Sequence, residues 1–202
     1  MRTMKAISMR QPYAGLVAVG EKRIETRLWE TKHRGLLAIH AMQKWDADLW
    51  RTSRSGPVAD ALRRHDLYAG PAVESHGNLT FGAVLCYVDL LDCVRVIRTK
   101  KGVRLGAPHS LDGQDRSEVY NDLLTENELG FSAFQPGCYA WIMKLVHRFE
   151  VPLAVTGARR LWEWNEPDGG VSAVGRANKE RLKSTRRNSP ERWVPNPETG
   201  SS

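Results

Sequence analysis

Lys22, Glu25 and Arg27 place an amine, a carboxylate and a guanidinium within one short stretch of chain. If that stretch is extended, Glu25 and Arg27 share a face with Trp29, and Lys22 meets them from the turn before. Such a trio can hold a phosphate and the edge of a base. Arginine makes paired hydrogen bonds to phosphate or to a purine edge, and glutamate accepts from an exocyclic amine such as that of cytosine. A lysine pressed among other cations also loses its proton more readily. Lys22 is therefore a candidate nucleophile or base, with Glu25 moving the proton. The alternative for the same residues is a solvated ion pair on a strand edge.

A second group, Ser8, Arg10 and Gln11, falls where a short apolar segment runs into a helical one. Backbone donors and a helix N-terminus at such a junction can receive an anion. Equally, Ser8 or Gln11 can cap the helix and leave Arg10 on the surface, since no glycine-rich phosphate loop accompanies them. His40 ends an apolar run and reads as a hydrogen-bonded core histidine. No His/Cys/Asp grouping has the spacing of metal ligands, so neither a metal nor another cofactor is expected. Among the seven tryptophans, Trp29 and Trp162 adjoin arginines or other polar residues. With Tyr13 and Tyr139, the tryptophans can stack on bases of a single strand at about 1 to 3 kcal/mol per contact, and Trp29 and Trp162 are the better candidates. Trp45, Trp50 and Trp141 occupy apolar repeats and read as core.

These side chains must be positioned by the stretch from Ile7 to Ala41. Met4 to Met9 is short and weakly alternating, which suits a strand. Gln11 to Gly20 repeats its apolar residues as a helix does, with Pro12 fit for the first turn and Gly20 for a left-handed cap. Arg23 to Trp29 alternates as a strand, and Gly35 to Ala41 is apolar enough for a central one. Sequential strands are usually neighbours, so the first and second are expected side by side, with both polar groups facing one pocket. Two helical pieces follow between Gln43 and Arg64, broken at Ser55, Gly56 and Pro57. Gly70 to Asn78 reads as a loop, and Thr80 to Ile97 as one long bent strand or two. Thr99 to Arg116 reads as an exposed loop, Ser117 to Leu129 as a modest helix, and Cys138 to Val151 as a core strand. Arg159 to Trp164 is expected to form a helical turn. Val171 to Leu182 suits a basic helix, and Ser184 to Ser202 a loosely ordered tail.

The chain of 202 residues is 41% hydrophobic, enough for one domain with a real core. Its net charge of +7 and pI near 9.5 favour a polyanionic partner such as RNA or DNA. The excess is uneven: Met1 to Arg54 holds 11 basic and 5 acidic residues, and Val171 to Ser202 holds 7 and 3. That basic end either adds salt-sensitive attraction to phosphates or only solubilises the chain. Cys86, Cys93 and Cys138 lack CxxC spacing and read as buried reduced thiols. With no signal region and no apolar run of about 18 residues, a cytoplasmic protein without a membrane partner is expected. Strands around a few helices, without regular βαβ alternation, indicate an α+β protein on a strongly bent sheet or barrel.

The segments SMRQPYAGLVAVGEKRIETRLW, RGLLAIHA, GCYAWIMKL and VPLAVTGARRLWEW resemble the ASCH domain. That domain belongs to the PUA-like superfamily, with the PUA, YTH and EVE RNA-binding folds. RQPYA followed by Gly20, Lys22, Glu25 and Arg27 in a GxKxxExR pattern is its most specific part. The resemblance runs over about residues 4 to 166. It implies a bent β-barrel with flanking helices, assigned to residues 1 to 166, while the composition of 167 to 202 is that of a basic helix and tail. It also implies a cleft for a nucleobase or an RNA strand. Some members only bind RNA, one class hydrolyses the amide of N4-acetylcytidine, and ribonuclease activity is attributed to others. In the amidohydrolase class a lysine after the first helix acts with a threonine and a glutamate. Lys22 matches the lysine, Glu25 stands at the threonine position, and the glutamate has no clear counterpart. The expectation is an RNA- or nucleotide-binding protein in which Lys22, Glu25 and Arg27 line the cleft. Ser8, Arg10 and Gln11 would hold phosphate or the opposite base edge, with Trp29 or Trp162 closing over the ligand. A hydrolytic variant and a non-catalytic reader of modified bases both stay open, as does a purely structural role for the charged pairs.

Overall fold

The computed structural model describes residues 2–106 and 117–167. Its elements run β1 (Arg2–Met9), α1 (Tyr13–Ala18), β2 (Ile24–Arg27), β3 (Gly35–Ala41), α2 (Ala47–Thr52) and α3 (Gly56–Arg64). They continue with β4 (Ala83–Thr99), β5 (Gly102–Leu105), α4 (Ser117–Asn121), α5 (Glu126–Phe131), β6 (Tyr139–Ala154) and β7 (Leu161–Glu166). The expected basic helix and tail beyond residue 167 lie outside the described residues.

The strands form one mixed sheet in the order β2-β6-β4-β3-β1-β7, with β5 paired to β4 beside that path. The α+β class stands. Among the described residues the ladder starts at β2 and stops at β7, so the pairing does not close into a barrel. Its two longest strands, β4 and β6, slip register at Val84/Cys86, Tyr87/Val88 and Leu90/Asp92. Each extra residue bends and twists the ribbon, which is how so long a pair curls around a core.

β1 carries apolar side chains on both faces. Ile7 and Met9 pack with Leu37, Ile39, Val88 and Trp141, while Met4 and Ala6 pack on the other face with Tyr87, Phe149 and Trp164. A strand covered on both sides loses the alternation that marks a half-buried one. α1 is enclosed too: Ala14 and Val17 press on the sheet, and Leu16 meets Val58, Leu62 and Phe131 of α3 and α5. Asp92 is a buried charge met by Arg34, with Nη2 to Oδ1 at 2.6 Å, and by the Tyr120 hydroxyl at 3.3 Å.

Four expectations are corrected. β1 does not neighbour β2: it pairs in parallel with β3 and antiparallel with β7. Arg159 to Trp164 holds no helical turn, because residues 161–166 form β7 and satisfy the free edge of β1. Gly102 to Leu105, read as loop, is the return strand β5 on the end of β4. The span 117–129 is two short helices, since α4 ends at Asn121 and Thr125 caps α5 by accepting from the Glu128 amide.

Trp141 is fully buried and meets Trp29 edge to face, ring centres 4.7 Å apart. Trp141→Ala is expected to cost about 3–5 kcal/mol, read as a lowered urea midpoint with an unchanged slope.

Candidate functional site

The chain reverses after α1 because Gly20 adopts a left-handed φ of +81°. The amides of Glu21 and Lys22 then both donate to the Leu16 carbonyl, at 3.0 and 3.1 Å. This turn sends the Lys22 side chain inward, where it is wholly enclosed. Its ammonium donates to the carbonyls of Ile24 at 2.5 Å and Phe131 at 3.2 Å and to the Ser132 hydroxyl, with Glu25 Oε2 3.5 Å away. Burial pushes the Lys22 pKa down, and the carboxylates of Glu25 and Glu128 pull partly against it.

Glu128 carried no signal in the sequence beyond its place on a polar helix, yet it is buried here. Its carboxyl accepts from the Arg23 amide and, at 3.3 Å, from the Ile24 amide, and it lies 3.6 Å from Arg23 Nε. Burial raises its pKa, opposed by the charge of Lys22 and the Arg23 amide. Lys22 and Glu128 thus grip the first residues of β2 from opposite polarity and fix the facing of Glu25 and Arg27.

Arg27 lies with its Nε 3.0 Å from Glu25 Oε1, while its Nη2 donates to the Ser8 carbonyl at 3.0 Å. The Nε contact is an ion pair without hydrogen-bond alignment. Glu25 is opposite Trp141 on β6 and Arg27 opposite Tyr139, so both face the side of the sheet on which Trp29 packs. Their side chains are 15% and 26% exposed, open enough for contact and closed enough to strengthen it. Tyr13, an aromatic that the sequence offers for stacking, joins them: burial raises its pKa, with the charge of Arg10 lowering it and that of Glu25 raising it. The Lys22 ammonium is 5.7 Å from the centre of the same ring. Arg10 itself is exposed.

Three expected residues stand apart from this group. Gln11 is buried, accepts from the Gly15 amide at 2.9 Å and donates to the Thr80 carbonyl at 2.6 Å. It ties α1 to the segment before β4, as the capping alternative holds. Ser8 offers only its carbonyl to Arg27, and its hydroxyl points to the other face, donating to the Ala158 carbonyl at 2.9 Å. Trp162 is on that same face, 5.8 Å ring to ring from His40, with its indole N–H enclosed. A cavity of about 560 Å³ opens there, lined by Ser8, His40, Gln43, Thr156, Gly157 and Arg159 among others. His40 is core-bound as expected, with Nε2 3.1 Å from the Val155 carbonyl and Nδ1 3.1 Å from Ser8 Oγ. Among the described residues, no three His, Cys, Asp or Glu side chains gather as metal ligands. No described helix is long and apolar enough to cross a membrane.

The family model for the ASCH domain matches residues 7–151, well over half of the chain. The chain belongs to the ASCH domain family. Within that match fall Lys22, Glu25, Arg27, Glu128 and Tyr13, so the whole charged group is part of the ASCH domain. Activating signal cointegrator 1 of Mus musculus is 38% identical over 90 residues, covering 44% of this chain and 14% of that protein. The Homo sapiens protein of the same name is 34% identical over 88 residues, with the same coverage. The chain therefore spans only a small part, 14%, of the length of these relatives.

Lys22→Ala would take from Glu25 one of its two cations and remove a buried donor from the Ile24 and Phe131 carbonyls and the Ser132 hydroxyl, and is expected to cost about 3–5 kcal/mol by urea denaturation. A second expectation concerns acid. Burial holds the His40 pKa below its ordinary value, with the Val155 carbonyl opposing. The unfolded chain therefore takes up the proton first as pH falls. The contribution of His40 to stability is complete above about pH 6.5 and is lost on descent through the folded value. Between pH 7.5 and 5.5 the urea midpoint should fall further for the wild type than for His40→Gln.

Proposed function

We propose that this ASCH domain binds single-stranded RNA or a nucleotide, presenting Glu25 and Arg27 to a base edge or phosphate. Trp29 and Tyr13 supply aromatic surface beside them, and Arg10 supplies positive charge at the rim. The observation that carries this reading is the ion pair of Glu25 and Arg27, held half-open on the same side as Trp29 by a lysine that water cannot reach. A carboxylate beside a guanidinium offers both an acceptor and donors to the polar edge of a base, and the chain's excess of positive charge suits its phosphates. The bent sheet supports the PUA-like reading as well. Arg27 on the end strand β2 reaches the backbone of β1, one strand in from the opposite end, and so bridges the gap the ladder leaves.

Binding is favoured over hydrolysis by Lys22. Its ammonium already donates to Ile24, Phe131 and Ser132, so attack on a carbonyl would require it to abandon those partners. In this reading Lys22 positions Glu25 and Arg27, and any product from RNA or N4-acetylcytidine would favour the hydrolytic variant instead.

The test is fluorescence anisotropy with a labelled single-stranded RNA. Arg27→Ala should weaken binding by roughly 5- to 150-fold, the span of a base or phosphate contact worth about 1–3 kcal/mol. Arg10→Ala, on the surface, should lower the slope of log affinity against log salt by about 1. Affinity unmoved by both substitutions in folded protein would remove this group from the interface.

A further inference from the structure

On the other face of β1, Ser8 and His40 are direct partners across the parallel β1–β3 ladder. Both line the 560 Å³ cavity. The Val155 carbonyl, 3.1 Å from His40 Nε2, requires a proton on that nitrogen and leaves the Nδ1 lone pair facing Ser8 Oγ, also at 3.1 Å. Nucleophile, base and orienting acceptor thus stand in the order that acyl transfer uses. We propose that this cavity is a second site, separate from the Glu25–Arg27 group, in which Ser8 is the nucleophile and His40 the general base for hydrolysis of small carboxylic esters.

The local backbone is shaped around the pair. A Cβ on Gly157 would lie 2.3 Å from the His40 ring and 2.7 Å from Ser8 Oγ, so residue 157 has room for no side chain while the pair stays in place. Glycine there lets the main chain close on the dyad. The cavity is of a size that holds a drug-sized molecule. Arg159 is the charged side chain among its described lining residues, and its positive charge at the cavity favours a carbonyl oxygen as it gains negative charge. Around His40 stand Ser8 on β1, the Val155 carbonyl, Gly157, and Trp162 on β7. Burial lowers the imidazole pKa, so the ring is the neutral base at pH 7.

The chemistry balances without a further reagent. Ser8 Oγ bonds to the ester carbonyl carbon as its proton passes to His40 Nδ1. The carbon–alkoxy bond then breaks, and the departing alkoxide takes that proton as an alcohol. Water next attacks the acyl-serine, giving one proton to Nδ1 and its hydroxyl to the carbonyl carbon. Ser8 recovers the proton and a carboxylic acid leaves. In the resting protein the Ser8 hydroxyl donates to the Ala158 carbonyl, and a bound ester would turn it toward Nδ1.

The full chain should be treated with a fluorophosphonate probe, followed by intact mass and peptide mapping, alongside p-nitrophenyl acetate hydrolysis. One adduct on Ser8 is expected, absent in Ser8→Ala, with a labelling rate that falls in acid as His40 takes up a proton, at a pH below the ordinary histidine range. His40→Gln should slow labelling by about 100-fold or more. Mapping on the wild type keeps the test valid if a variant fails to fold. No adduct on Ser8, an adduct only elsewhere, or labelling in folded His40→Gln at the wild-type rate would each overturn the proposal.

Discussion

The ammonium of Lys22 sits where no water reaches it and binds two carbonyls and a hydroxyl from separate parts of the chain. A charge in that position is tolerable only while every partner stays in place, because an unpaired buried ion costs far more than a surface one. The turn after α1, the start of β2 and the end of α5 are therefore constrained together. From this constraint follows the facing of Glu25 and Arg27, since Glu128 holds the adjoining amides and a strand so held cannot slip by one residue. Stability and ligand contact in this region rest on one set of bonds.

β1 separates two polar sites that share its backbone. Toward one face its Ser8 carbonyl receives Arg27, and toward the other its Ser8 hydroxyl meets His40 and the Ala158 carbonyl. Apolar residues on both faces, Ile7 and Met9 against Met4 and Ala6, isolate the two sites from each other. Placement on paired strands suits both, because a site on a strand varies less than one on a loop.

Much of the first forty residues was legible. Pro12 and Gly20 bound α1, RIETRLW alternates as β2 does, and GLLAIHA has the continuous apolar character of a strand covered on both sides. The GxKxxExR pattern pointed to the charged group and to the family. What escaped was nonlocal. Glu128 lies over a hundred residues from the amides it binds, and Gln11 does its structural work by reaching Thr80. Trp162 adjoins arginines in sequence, which suggested an exposed ring, but pairing with β1 turned it toward His40. The β7 segment is short and charged, and only its partner makes it a strand.

The position of β1 between β3 and β7 also bears on how the molecule is made. Its first neighbour, β3, is complete at Ala41, whereas its second is not finished until Glu166. At about 5–20 residues per second, a growing chain on the ribosome would carry β1 with one bare edge for roughly 6 to 25 seconds. Arg2 and Lys5 lie along that strand, and Lys5 ends 3.1 Å from Glu163 when β7 arrives. Before then, the same cations discourage a neighbouring nascent chain from docking on the vacant edge.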